Sequence, residues 1–183
     1  MKGLLFREKY TIPSNLIEEA WEYANMSKSF TSNRHDFHGG GLGNKQKKMY
    51  EGKLGEKIFK TFLIENNIAF TEDQSSYEEA DLYDFILPNG YTIDIKTRTK
   101  DFHIRTLELV EQFIQKPKDI YVSIRIFDDL KSGSIIGWFS RKDLQRINRI
   151  ENHGYLDNYT IYDKELRDIK QLWDYCLIKY RNL

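Results

Sequence analysis

The sequence predicts an α/β fold with a small mixed central β-sheet flanked by helices. Segments of helical period alternate with segments of strand period, a hairpin signal stands near the middle, and 183 residues suffice for two or three packed layers. Hydrophobic residues reach 40% and aromatic residues 14%, enough to build a core beside the 31% of charged residues, so extensive disorder is not expected. No repeat or linker breaks the chain. A single domain over 1–183 is expected, with an N-terminal helix and Gly-rich loop over 1–45, a candidate catalytic core over 46–127, and a strand and C-terminal helices over 128–183.

Taken in order, "SNLIEEAWEYANMSK" places Leu16, Ile17, Ala20, Trp21 and Ala24 at helical spacing behind a Ser/Asn cap, predicting a helix over 15–26. "SFTSNRHDFHGGGLGNKQKK" replaces periodicity with Ser, Asn and glycines and reads as a long loop. "MYEGKLGEKIFKTFLIENNI" returns to helical period, with Leu54, Ile58, Phe59, Phe62 and Leu63 on one side and "ENN" as the stop. On that wheel Glu56 lies beside the apolar arc and Glu51 inside it; Glu51, near the expected helix start, reads as an acid complementing the helix dipole. The acidic stretch "TEDQSSYEEAD" leads into "YDFILPNGYTIDIKTRT", where Asn-Gly between alternating arms signals a β-hairpin.

Beyond the hairpin, "RTLELVEQFIQ" reads as a helix with Leu107, Val110, Phe113 and Ile114 on one face. "DIYVSIRIF" and "SGSIIGWF" read as strands, and Ser140 with Asp143 has the spacing of a capping box for a short helix. "DKELRDIKQLWDYCLIKYR" aligns Leu166, Ile169, Trp173, Cys176, Leu177 and Tyr180 along a closing helix, a stripe read as core.

Lys+Arg and Asp+Glu both count 28, so any basic surface has to arise from segregation of charge in the fold. The lone Cys176 excludes an intramolecular disulfide and a multi-cysteine zinc site. "MKGLLFREKYTIPSN" is too short in apolar residues for a signal peptide, and no later run approaches a membrane helix. A cytoplasmic protein is expected.

The second hairpin arm carries the chemistry. Side chains at i and i+2 share a strand face, so Asp94 and Lys96 stand together while Ile93 and Ile95 point the other way. Asp84 on the first arm pairs across the turn, and two converging carboxylates make a hard-oxygen site suited to Mg²⁺. Lys96 then faces a water or phosphate beside the metal, and Glu56 completes the surroundings. Ionic pairing of Asp94 and Lys96 on a solvated face is the alternative.

Asp84 and the run Asp94-Ile95-Lys96, preceded by the helix "GKLGEKIFKTFL", resemble the PD-(D/E)XK nuclease superfamily, the restriction-endonuclease-like fold. That pattern is a helix with an acid, a strand with Asp, a strand with (Asp/Glu)-x-Lys, then a helix and further strands. The resemblance spans roughly 50–127 and implies catalytic roles for Glu56, Asp84, Asp94 and Lys96. It implies Mg²⁺, with Mn²⁺ able to substitute, held by Asp84, Asp94 and Glu56, and a lysine that orients the attacking water. The implied activity is DNA phosphodiester hydrolysis, in the manner of a small type II restriction-like endonuclease on double-stranded DNA. Asp84 follows Tyr83 where the family has Pro, and Asp81 is a rival for the first acid.

Basic residues flank this core. "KTRTKDFHIR" gathers Lys96, Arg98, Lys100, His103 and Arg105 where a phosphate backbone would run. Lys45 and Lys47 in "HDFHGGGLGNKQKK" are further DNA contacts if that loop wraps the backbone; a surface loop is the alternative. The loop lacks the GK[ST] of a phosphate-binding loop, and His35 with His38 has no third ligand for a metal. Lys116, Lys118, Arg141 and Lys142 would extend the basic surface. Cutting both DNA strands symmetrically calls for a homodimer. The rival readings are a non-catalytic nucleic-acid-binding module of the same fold and an interaction protein working through "EDQSSYEEAD".

Overall fold

A computed structural model describes residues 8–27, 42–73, 83–152, 154 and 156–180. Its elements are β1 (Lys9–Thr11), α1 (Ser14–Met26), α2 (Leu42–Glu65), β2 (Thr71–Glu72), β3 (Phe85–Ile86), β4 (Thr92–Arg98), β5 (Arg105–Leu109), α3 (Val110–Gln115), β6 (Ile120–Ile126), β7 (Ser132–Ser140), α4 (Arg141–Ile147), β8 (Ile150–Asn152), β9 (Asp157–Tyr162) and α5 (Lys170–Tyr180). The fold is mixed α/β. β2, β3 and β4 form an antiparallel meander, and β6 then lies parallel to β4 across the β5–α3 crossover. β7 and β1 extend the sheet antiparallel, giving the order β1-β7-β6-β4-β3-β2. A second, antiparallel sheet runs β5-β9-β8.

The period of two divides the central strands cleanly. Ile93, Ile95 and Thr97 stand in register with Ile120, Val122 and Ile124, and this face builds the larger core. Leu16 and Ala20 of α1, Leu54, Ile58 and Phe59 of α2, and Leu172 and Cys176 of α5 all join it. The opposite face carries Asp94, Lys96 and Arg98 beside Tyr121, Ser123 and Arg125. There a smaller core of Tyr121, Phe139, Phe113, Leu144 and Ile161 forms under α3, α4 and β9. The charged face of β4 is therefore roofed by the second sheet and its neighbours.

Several elements differ from the sequence reading. Residues expected to form a helix from Arg105 instead pair as β5 with β9, and only Val110–Gln115 is helical. Phe113 is buried there and Ile114 exposed. α2 begins at Leu42, so the latter part of the expected long loop is helix and Glu51 sits well inside α2, away from the exposed amides that the dipole argument requires. α1 starts behind Pro13, with no side-chain cap. The expected closing helix is shortened: a 3-10 turn over Asp163–Glu165 and an extended stretch precede α5, because Arg167 and Trp138 exchange backbone hydrogen bonds. The capping box of Ser140 and Asp143 is present. No helix among the described residues is long and apolar enough to cross a membrane.

The hairpin turn is closed by Pro88–Gly90. Leu87 and Tyr91 pair across it, Gly90 N–H donates back to the Leu87 carbonyl, and Gly90 adopts φ 81°. Pro88 pre-sets the first turn residue and Gly90 supplies the left-handed one, giving a three-residue loop in place of a two-residue Asn-Gly turn.

Candidate functional site

The site begins where strand pairing stops. β3 pairs with β4 only through Phe85 with Ile93 and Ile86 with Thr92. One residue earlier, Asp84 N–H donates to the Ile93 carbonyl, while Ile95 N–H donates at 2.6 Å to Asp84 Oδ2. The carboxylate thus takes the place of the next strand residue and ends the ladder. From there to Arg98 this edge of β4 has no partner strand among the described residues, and a cleft of about 780 Å³ opens along it.

Glu56, Asp84, Asp94 and Lys96, the four residues singled out from sequence, all line this cleft. α2 can bring Glu56 so near because Gly55 lies against β4: a Cβ at Gly55 would overlap the Thr97 hydroxyl. Thr97 Oγ1 also donates to the Gly52 carbonyl at 3.4 Å. Glu56 accepts a hydrogen bond from Lys53 at 2.9 Å, and that ammonium sits 4.2 Å above the Tyr23 ring. Burial, reinforced by the negative charges of Glu56 and Asp94, pushes Asp84 well above the usual carboxylate range, against the pull of Lys53 and the Ile95 amide.

On the roofed face, Lys96 Nζ lies 2.9 Å from Asp94 Oδ2 and 2.5 Å from Glu108 Oε2. Glu108 comes from β5 and is 3% exposed. The Tyr121 ring lies 5.9 Å from the same ammonium. Burial works against the charged lysine, but Asp94 and Glu108 outweigh it and hold Lys96 protonated. Burial lifts the Glu108 carboxyl above its ordinary value although Lys96 draws it down. Glu56, Asp84, Asp94 and Glu108 thus gather carboxylate oxygens around Lys53 and Lys96, and Lys48, Glu51 and Arg98 also line the cleft.

Among the described residues no three His, Cys, Asp or Glu side chains close on one point as a complete metal cage. Mg²⁺ does not require one, since it keeps several waters and takes one or two carboxylates. The carboxylate donors are hard oxygen throughout, and Asp94 Oδ2 has the Lys96 ammonium 2.9 Å away. Asp84, Asp94 and Glu56 line the cleft together and offer carboxylate oxygens, the donor type that Mg²⁺ takes.

Glu108 was missed from sequence because its segment reads as a helix. β5 also inverts the usual pattern: polar Thr106 and Glu108 are buried, while Leu107 and Leu109 are partly exposed and line the cleft. Thr106 Oγ1 donates to Ser123 Oγ at 2.8 Å and Glu108 meets Lys96, so each inward polar group has a partner on the central sheet. Only the period-two alternation of "TLEL" carried the signal.

The expected basic contacts divide. Arg98 is no free DNA contact: its guanidinium grips both carboxylate oxygens of Asp163 at 2.9 and 2.6 Å. Lys118 is buried and donates to the Lys116 carbonyl, so it adds nothing to the surface. Lys47, Lys48 and Lys100 line a neighbouring groove of about 320 Å³ that shares Lys48, Glu51 and Thr99 with the cleft. Arg105 is exposed and Lys45 half-buried. Lys116, Arg141 and Lys142 are exposed. Asp81, His35 and His38 lie outside the described residues, as does 74–81 of the acidic stretch. Its first acid, Glu72, is held by Lys57 and Lys60 at 2.8 and 2.6 Å.

The class that fold and site define is a mixed α/β protein with a cleft lined by both carboxylates and lysines at an open sheet edge. Comparison with models of known protein families finds no match, and comparison with curated proteins finds no similar sequence.

Proposed function

We propose that this chain is a metal-dependent deoxyribonuclease of the restriction-endonuclease-like fold that hydrolyses phosphodiester bonds in double-stranded DNA in the cytoplasm. The observation that carries the reading is the meeting of Asp84 with Asp94 and Lys96 at the unpaired edge of β4, with Glu56 of α2 beside them. The order α2, β2, β3, β4, β5, α3, β6, with Asp84 immediately before β3 and Asp94 on β4, contains the pattern of that fold with β2 and β5 added to it. Asp84 and Asp94 would hold Mg²⁺ or Mn²⁺, assisted by Glu56. The ion would neutralise charge on the phosphate oxygens and acidify water.

This chain's own residues do the positioning. Lys96, kept charged by its two acids, orients the attacking water and stabilises charge growing on the phosphate; it is too firmly protonated to serve as a base. The groove of Lys47, Lys48 and Lys100 offers the departing strand a track of phosphate contacts. One cleft serves one strand, and a homodimer would bring a second cleft to the other.

Incubation with plasmid, linear duplex and single-stranded DNA in Mg²⁺, Mn²⁺ or EDTA, beside Asp94→Ala and Lys96→Ala, tests the proposal. Cutting that needs metal and drops by about a hundredfold or more in both variants is expected. Metal-independent cutting, or cutting indifferent to both substitutions, would sink it.

A second reading, a nucleic-acid-binding module without chemistry, is favoured by one observation. Asp94 and Lys96 are engaged with each other and with Glu108, an arrangement stable without metal. It predicts DNA binding in EDTA that survives Asp94→Ala and no cutting under any metal.

A further inference from the structure

We infer that Glu108 is a positioning residue that draws the Lys96 ammonium toward β5 and so keeps Asp94 available to the metal; the inference rests on the nuclease reading above. Asp94 faces two claims on one carboxylate. It is a metal ligand in that reading, and its Oδ2 already lies 2.9 Å from Lys96. A lysine is a compact charge on a flexible stem, and with Asp94 as its sole partner it would lean onto that carboxylate and offset the charge a cation needs. Glu108 supplies the competing partner, and its contact is the shorter of the two at 2.5 Å. With the Tyr121 ring on a further side, the ammonium is boxed by groups of three strands.

Stability alone does not explain an acid at this position. Glu108 is 3% exposed, and Lys96 is its one ion-pair partner among the described residues. Burying a carboxylate carries a desolvation penalty that an ion pair often only offsets, and well-packed apolar residues in the same place are commonly as stable or more so. The strand has Leu107 and Leu109 on either side. A carboxylate at the inward position that meets Lys96 is accounted for by its effect on that lysine.

The test is a double-mutant cycle on the full chain with Glu108→Gln, Lys96→Ala and the double variant, read by Mn²⁺ affinity in calorimetry and by single-turnover DNA cleavage. Glu108→Gln is expected to weaken Mn²⁺ binding by about tenfold and to slow cleavage by about tenfold to a hundredfold, since small displacements of a reacting group have effects of that order. In the Lys96→Ala background the same substitution is expected to change Mn²⁺ affinity by less than about twofold, because the lysine it controls is gone. Melting temperatures and DNA affinity in EDTA check that each variant is folded. An equal loss of Mn²⁺ affinity in both backgrounds would assign Glu108 a general electrostatic or structural part and overturn the inference. So would wild-type behaviour of Glu108→Gln in an active enzyme. A wild-type chain that neither binds Mn²⁺ nor cuts DNA would remove the nuclease reading itself, and this inference with it.

Discussion

Asp84 uses one carboxylate for two tasks. It ends the β3–β4 ladder by accepting the Ile95 amide, and it places negative charge where Glu56 and Asp94 already concentrate it. Because its folded carboxyl binds a proton more tightly than an unfolded one, ionised Asp84 weakens the fold at neutral pH. That penalty fades as pH falls through the raised folded value and is gone below the ordinary value of 3.8. Asp84→Asn keeps an oxygen for Ile95 and removes the charge, so in EDTA it should melt above wild type at neutral pH, with the gap closing on acidification. Thermal melts across that range check this, and a wild type that outlasts the variant at neutral pH would refute it. Asp94 and Lys96 were legible as a pair because i and i+2 share a strand face. Glu108 was not, since the contact that defines its role lies on another strand and no local rule places a carboxylate inward. Arg98 shows the opposite failure: a basic residue beside a candidate site reads as a DNA contact until Asp163, 65 positions away in sequence, is seen to hold it.

At the scale of elements, the close approach of α2 to β4 positions the site. Gly55 faces the Thr97 side chain with no room for a methyl group, and Glu51, Gly52 and Glu56 on the same helix line the cleft. Gly55→Ala should push α2 off the strand, lower stability by about 1–3 kcal/mol as overpacked sites do, and reduce cleavage more than DNA binding. Urea unfolding and single-turnover cleavage measure the two effects; a variant as stable and active as wild type would show that the contact yields. The sequence made α2, β4, β6 and β7 legible because each is long and strongly periodic. β1, β2 and β8 are strands of two or three residues, too brief for a period to register, and they exist because a neighbouring edge pairs with them. β5 was misread for a related reason: Leu107, Val110, Phe113 and Ile114 do recur at helical spacing, but pairing with β9 overrides it through Leu109.

Across the whole molecule, the two cores give the charged face of β4 its character. The larger core packs against one side of the central sheet, and the second sheet closes over the other, so Asp94 and Lys96 are partly withdrawn from water while the short β3 leaves their edge open. The α/β class was legible from the alternation of periods. The strand order and the second sheet were not, because both depend on pairings between segments far apart in sequence. The central claim is that this open edge gathers a divalent metal through Asp84 and Asp94. The most direct measurement is a Mn²⁺ titration of the purified chain followed by electron paramagnetic resonance, beside Asp84→Asn and Asp94→Asn. Saturable binding by wild type that weakens by about tenfold or more in each variant is expected; binding of equal strength in all three, or none by wild type, would show that these two carboxylates hold no metal.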